Sequence, residues 1–274
     1  MARILIVGCG YVGQALAKEY LANGYEVLAL QRHPVDIAGV KNLIGDVTQI
    51  RLNSLPEIDT VFYLVAAGNS CDEAYENAYV KGIKHLLNQL SAQSHTRIVY
   101  VSSTAVYGQQ NGEWVDENSE TQPADFSGKR LLEGEAIVKK SGFTSAIVRL
   151  GGIYGPGRAR LIEQVSNGQA RLTPTLCYTN RIHLADCVGI LSYVAKHPSP
   201  PSVVLGVDSA PALYNDILLW LANQLTCPPP AIGETPARLQ KSNKRCSNQF
   251  LQTLGYQFKY PNYRLGLGQL LLGF

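Results

Sequence analysis

The chain is predicted to fold as an α/β protein, a doubly wound parallel sheet with helices on both faces and a small C-terminal lobe. Three observations predict it. Through the first 150 residues, short apolar runs alternate with segments of helical periodicity, the pattern of repeated β-α-β units. The first apolar run leads directly into a glycine-rich hexapeptide. After Leu150 the texture changes, beginning with a Gly- and Arg-rich stretch at Gly151–Arg160.

Arg3–Val7 is a continuous apolar run, as expected of a strand covered on both faces. Ala15, Leu16, Tyr20 and Leu21 then recur at helical spacing, and Asn23-Gly24 is a helix stop. Further strands are read at Tyr25–Leu30, Asn42–Ile44, Asp59–Ala66, Arg97–Ser102 and Thr144–Leu150. Helices are read at Asp72–Leu90, with Ile83, Leu86, Leu87 and Leu90 on one face, and at Ser127–Lys140. Beyond residue 150 the reading gives a helix near Leu184–Ala195, a strand at Val203–Val207 and a helix at Leu213–Leu225. Cys227-Pro228-Pro229-Pro230 is a rigid break before the polar, basic Arg238–Asn248. Two short helices follow, near Asn248–Leu254 and Tyr263–Leu272. Residues 1–150 are thus the core, and 151–274 mix the sheet's last elements with the lobe, interleaved.

Composition bounds the function. Of 274 residues, 46% are hydrophobic and 16% charged, against roughly 25% charged in a typical soluble domain, which excludes a disordered chain. A net charge of +3 without blocks of like charge gives no footprint for nucleic acid or a membrane surface. No apolar run approaches the roughly 18 residues of a membrane span, and Met1–Val7 is too short for a signal-peptide core. Six cysteines without a CxxC pair suggest neither a zinc site nor a disulfide framework. His33, His85, His95 and His197 lack metal-ligand spacing. A cytoplasmic protein without metal is expected. The apolar run near Leu265–Phe274 is read as packing or a dimer contact.

The hexapeptide Gly8-Cys9-Gly10-Tyr11-Val12-Gly13 fits G-x-G-x-x-G after a strand and before a helix, the context a dinucleotide site requires. Gly8 permits the tight turn, Gly10 lets a pyrophosphate approach the backbone, and Gly13 lets the helix pack on the strand. The helix N-terminus then holds the phosphates. After the second strand stands Gln31-Arg32-His33 rather than an acid. Arg32 can pair with a 2′-phosphate and stack on adenine, which favours NADP, with NAD as the alternative.

Together with this loop, Tyr100-Val101-Ser102-Ser103-Thr104-Ala105-Val106-Tyr107-Gly108 resembles the extended short-chain dehydrogenase/reductases. These are the NAD-dependent epimerase/dehydratase group, acting largely on nucleotide sugars. Further matches are Gly45-Asp46-Val47, Ala66-Ala67, Arg149-Leu150-Gly151-Gly152 onward through Arg158, Asn180-Arg181-Ile182-His183, and the ending from Lys244-Arg245 to Tyr256. The resemblance implies a Rossmann-type sheet with a substrate lobe. It implies cofactor contacts at Gly8, Gly10, Tyr11, Val12, Gly13, Gln31, Arg32, Asp46, Val47, Ala66, Ala67 and Gly152. Arg158, Arg181 and His183 are expected at an anionic substrate site, and Tyr107 is either a substrate contact or a packing aromatic. By analogy, helices near Asp72–Leu90 and Gly128–Lys140 would form a homodimer.

In that family a Ser or Thr, with a Tyr and a Lys spaced Y-x-x-x-K, moves the proton. Ser103 matches the serine. One register then places Phe126 and Arg130 in the tyrosine and lysine positions; the preferred one places Asp125 and Lys129 there. Neither supplies a tyrosine. Ser103 and Lys129 are therefore the catalytic candidates, with Tyr107, Tyr154, Asp125 or water as the proton source. The expected function is hydride transfer on a small polar substrate, such as a nucleotide sugar. The alternative is a catalytically impaired dinucleotide-binding protein that acts as a redox sensor or regulator.

Overall fold

Seven strands form the central sheet of the computed structural model, which describes every residue except 53, 54, 91, 92, 94 and 274. They are β1 (Arg3–Val7), β2 (Glu26–Gln31), β3 (Val40–Ile44), β4 (Thr60–Tyr63), β5 (Arg97–Ser103), β6 (Thr144–Leu150) and β7 (Val203–Gly206). Their spatial order is β7-β6-β5-β4-β1-β2-β3. The pairs β1–β2, β2–β3, β1–β4 and β4–β5 are parallel. Val7 stands opposite both Leu30 and Tyr63, so the carboxyl ends of β1, β2 and β4 come level. The order reverses at β1, and parallel sheets bind ligands at such switch points.

Ile4, Leu5, Ile6 and Val7 are all buried, which explains a continuous apolar run in place of alternation. On one face Leu5, Val7, Tyr63 and Tyr100 pack with Ile83, Leu86 and Leu87 in a single core. The helices are α1 (Tyr11–Ala22), α2 (Asp72–Glu76), α3 (Gly82–Gln89) and α4 (Phe126–Lys139). The helix expected at Asp72–Leu90 is interrupted, because a π turn at Asn77–Lys81 separates α2 from α3. Its freed carbonyls find partners in the core. Tyr63 and Tyr100, stacked at 5.6 Å, donate their hydroxyls to the carbonyls of Ala78 and Tyr79.

A buried ion pair joins three elements of this core. Arg149 of β6 donates to Glu135 of α4 through Nε at 2.9 Å and through its terminal nitrogen at 2.7 Å. Ser102 of β5 donates to the same carboxylate at 2.7 Å.

The chain divides into two compact units. The first comprises Met1–Val106, Pro123–Arg149 and Val188–Val204; the second comprises Tyr107–Gln122, Leu150–Cys187 and Leu205–Phe274. The segment 107–122 is a passage that the sequence reading left within the core. The second unit has its own core, in which Tyr154, Ile162 and Val165 pack with Ile217, Leu218, Leu221, Tyr263 and Leu267. Its strands are short pairs: Gly152–Tyr154 with Arg181–His183, Glu113–Val115 with Lys244–Cys246, and Tyr178–Thr179 with Ala212–Leu213. Helices at Tyr214–Gln224, Gln249–Thr253 and Tyr263–Leu271 lie where helical periodicity placed them. Leu267 of the C-terminal run is buried while Leu265 and Leu272 are exposed; Phe274 lies outside the described residues. No helix among the described residues is long and apolar enough to cross a membrane.

Candidate functional site

A cleft of about 840 Å³ opens at the carboxyl ends of β1 to β4 in the first unit. The glycine loop forms its floor, and each glycine answers a separate demand. Gly8 has φ +89°, and a Cβ there would lie 2.7 Å from the backbone of Leu64 and Val65. At Gly13 a Cβ would lie 2.8 Å from the carbonyl oxygen of Gly8. Gly10 differs: it caps α1, and an added Cβ meets nothing within 4 Å. Gly8 and Gly13 are therefore required by packing, whereas Gly10 leaves open space above the first turn of α1. The amides of such a turn lack intrahelical partners and favour an anion.

Among the predicted cofactor residues, Gly8, Gly10, Gln31, Arg32, Asp46, Val47 and Ala66 line this cleft. Tyr11, Val12 and Gly13 stand in the first turn of α1; Ala67 follows Ala66 outside the wall, and Gly152 belongs to the second unit. Asp46 accepts hydrogen bonds from the Thr48 hydroxyl at 2.6 Å and the Thr48 amide at 2.8 Å. These bonds, with the Arg32 charge nearby, hold its carboxyl below the usual range. The cleft also takes in Gln14, His33, Asp36, Thr48, Asn69 and Asn77, which sequence reasoning missed. The Asp-x-Thr spacing of an Asx turn was the one available signal, for Thr48. The residues present fit a dinucleotide, with an unobstructed approach at Gly10 and a guanidinium and an ionised carboxylate further along the cleft.

Ser103 closes β5, and its Oγ accepts the Ala105 amide at 3.2 Å, leaving the hydroxyl hydrogen free to donate. The same turn meets the start of α4, for a Cβ on Gly128 would lie 2.6 Å from the Ala105 carbonyl oxygen. Asp125 caps α4. Phe126 is half-exposed and presents its ring edge-on to Tyr75 at 5.5 Å. Arg130 is committed to Asp72 at 2.8 Å and Glu133 at 2.9 Å. Lys129 is exposed and has no ion pair among the described residues. The start of α4 thus packs through Gly128 on the turn that follows Ser103, and neither register carries a phenol.

The other expected substrate residues lie in the second unit. Tyr107 is buried and donates its hydroxyl to the Asp116 carbonyl at 2.7 Å. Arg158 is exposed, in the turn that begins at Gly155. His183 is buried; its Nδ1 accepts the Ala185 amide at 3.1 Å, its ring lies 3.9 Å from that of Tyr260, and burial lowers its pKa. It therefore packs as a neutral imidazole. Arg181 Nε, Asp208 Oδ2 and Tyr154 Oη are buried without hydrogen-bond partners. Burial works against the Arg181 charge, the Asp208 carboxylate supports it and Arg238 repels it. Burial also pushes the Tyr154 phenol well above its usual range, so this tyrosine does not give up its proton readily.

Burial raises Asp208 to about 7. The folded state therefore keeps this proton to higher pH than the unfolded state does. Its contribution to stability is complete below about pH 4 and lost as pH rises through about 7. Asp208→Asn removes that loss and retains the bond from the Ala210 amide. Thermal melts from acid to mildly alkaline pH should show the variant more stable than the parent above neutrality. Parallel curves would contradict the assignment.

A switch-point cleft with a glycine-loop floor on a parallel sheet defines a Rossmann-type dinucleotide fold of the extended short-chain dehydrogenase/reductase kind. The chain belongs to the family described as RmlD substrate binding domain, whose profile matches residues 2–173. It is similar to a Methylobacillus flagellatus structure classed with the NAD-dependent epimerase/dehydratases, at 36% identity and TM-score 0.82, covering 99% of this chain and 98% of that one. It is 29% identical over 267 residues to the dTDP-6-deoxy-L-talose 4-dehydrogenase (NAD(P)(+)) of Kitasatospora kifunensis, covering 86% of this chain and 83% of that one. It also shares its fold with MoeE5, solved in complex with UDP-glucuronic acid and NAD, at 22% identity and TM-score 0.83, with 97% of each chain covered.

Proposed function

We propose that the protein is a nicotinamide-dependent oxidoreductase acting on a small, polar, anionic substrate of the nucleotide-sugar class. The observation that carries this reading is the cleft, whose Gly10 floor, Arg32 and Asp46 match the parts of a dinucleotide. The relatives named above support the substrate class. A bound dinucleotide would supply hydride transfer. This chain's residues would do the rest: the first turn of α1 binds phosphate, and Asp46 accepts a hydrogen bond from the base or sugar. Ser103 donates to a substrate oxygen, and Lys129 brings a positive charge to the same turn. The direct test is nicotinamide absorbance on mixing the chain and NADPH with 4-keto nucleotide sugars. Substrate-dependent oxidation is expected; none with any of them would overturn the enzymatic reading. A second reading, a dinucleotide sensor with little catalysis, is favoured by the missing phenol at Phe126 and Asp125.

Within this proposal Arg32 selects NADP. It lines the cleft beside Asp46, and a 2′-phosphate would meet its guanidinium in a charge-assisted contact. Such a contact is worth roughly 1.5–3 kcal/mol. Arg32→Ala should therefore weaken NADPH about ten- to hundredfold and NADH far less. Equal losses in calorimetry would mean that Arg32 does not read the 2′-phosphate.

A further inference from the structure

The second unit holds a buried amine that the dinucleotide cleft does not explain. Lys244 lies on the short strand Lys244–Cys246, opposite Glu113 of the parallel partner strand. It is 3% exposed, and its ammonium makes no hydrogen bond or ion pair among the described residues. The nearest charges do not satisfy it. Glu113 turns its carboxylate to the Asn111 backbone amide at 2.7 Å and the Asn111 side-chain amide at 3.2 Å. Cys246 is buried, and burial pushes its thiol up to about 12, so it is neutral.

The backbone around Lys244 is held from both sides. Asn180 donates to the Lys244 carbonyl at 2.9 Å and accepts the Cys246 amide at 2.7 Å. Arg245 donates to the Gly112 carbonyl at 2.7 Å and lies 5.0 Å from the ring centres of both Trp114 and Tyr178. A fixed backbone thus presents one cationic side chain that no carboxylate bonds directly, with only the Glu113 charge nearby in its support. Shielding most of a lysine side chain from water without an ion pair carries a cost, and a methionine would fill a similar volume without it. Burial also lowers the hold of Lys244 on its proton, a penalty that an arriving anion would reverse.

We propose that Lys244 is an anion-binding residue, whose ammonium takes an oxyanion, carboxylate or phosphate, of a small ligand held by the second unit. The assignment is independent of the dinucleotide reading and stands if that reading fails. It is tested by thermal melts of the full chain at constant ionic strength in rising sodium phosphate or sodium acetate, with sodium chloride as the reference. The parent should be stabilised by at least one oxyanion beyond chloride. A response to phosphate alone identifies a phosphate ligand, and one to acetate alone a carboxylate. Lys244→Met should melt higher than the parent without oxyanion and bind it about ten- to hundredfold more weakly, as expected for one charge-assisted contact. Lys244→Arg should retain the response. A parent indifferent to both anions, or a Lys244→Met variant that keeps the full response, would overturn the proposal. If Lys244→Met does not fold, nitrogen-15 NMR of the parent's lysine ammonium groups decides: a Lys244 signal moved by the anion supports the proposal, and an unmoved one overturns it.

Discussion

Gly10→Val should abolish binding of NADPH and NADH while the chain still folds. The two halves of that result come from one geometric fact. A Cβ at Gly10 meets no protein atom within 4 Å, so the branched side chain costs little in the folded state. The space it fills is the approach to the first turn of α1, where a pyrophosphate would accept backbone amides. Blocking that approach removes more than one charge-assisted hydrogen bond, so a loss of about a hundredfold or more in affinity is expected. Gly8→Ala should behave in the opposite way. Its Cβ would lie 2.7 Å from the backbone of Leu64 and Val65, at φ +89°, so folding itself suffers. Calorimetry and circular dichroism on the two variants separate a ligand-facing glycine from a packing glycine. Undiminished affinity in a folded Gly10→Val chain would remove the cleft from consideration.

Glu135→Gln should destabilise the first unit by about 3–5 kcal/mol, the usual consequence of removing one member of a buried ion pair. The side chains of Arg149 and Glu135 are 5% and 2% exposed, so solvent cannot replace the lost carboxylate. The variant also weakens the Ser102 contact that ties β5 to α4. Changing both members, Glu135→Leu with Arg149→Met, should recover most of the loss because no charge is stranded. Urea unfolding of the single and double variants checks this. A single variant within about 1 kcal/mol of the parent would mean that the pair is far better hydrated than its burial indicates.

The core was legible because its signals are long and one-sided. Arg3–Val7 read as an apolar run since both sheet faces are covered, and Gly8, Gly10 and Gly13 announced themselves by spacing. The second unit was harder to read for a physical reason. Its strands have two or three residues, too few to show a period, and each is held by distant partners such as Asn180 on Lys244 and Cys246. The π turn at Asn77–Lys81 was equally hidden, because the tyrosines that stabilise it come from β4 and β5. Within the site, the cleft positions of Arg32 and Asp46 followed from motif and order along the chain. The commitment of Tyr107 to Asp116 and the burial of His183 did not, since a sequence names a polar side chain without naming its partner.

A crystal structure of the chain grown with NADPH tests the central claim most directly. The account predicts the pyrophosphate on the first turn of α1 above Gly10, with the 2′-phosphate against Arg32 and the adenosine beside Asp46. Density for the dinucleotide elsewhere, or an unliganded cleft at saturating NADPH, would contradict it.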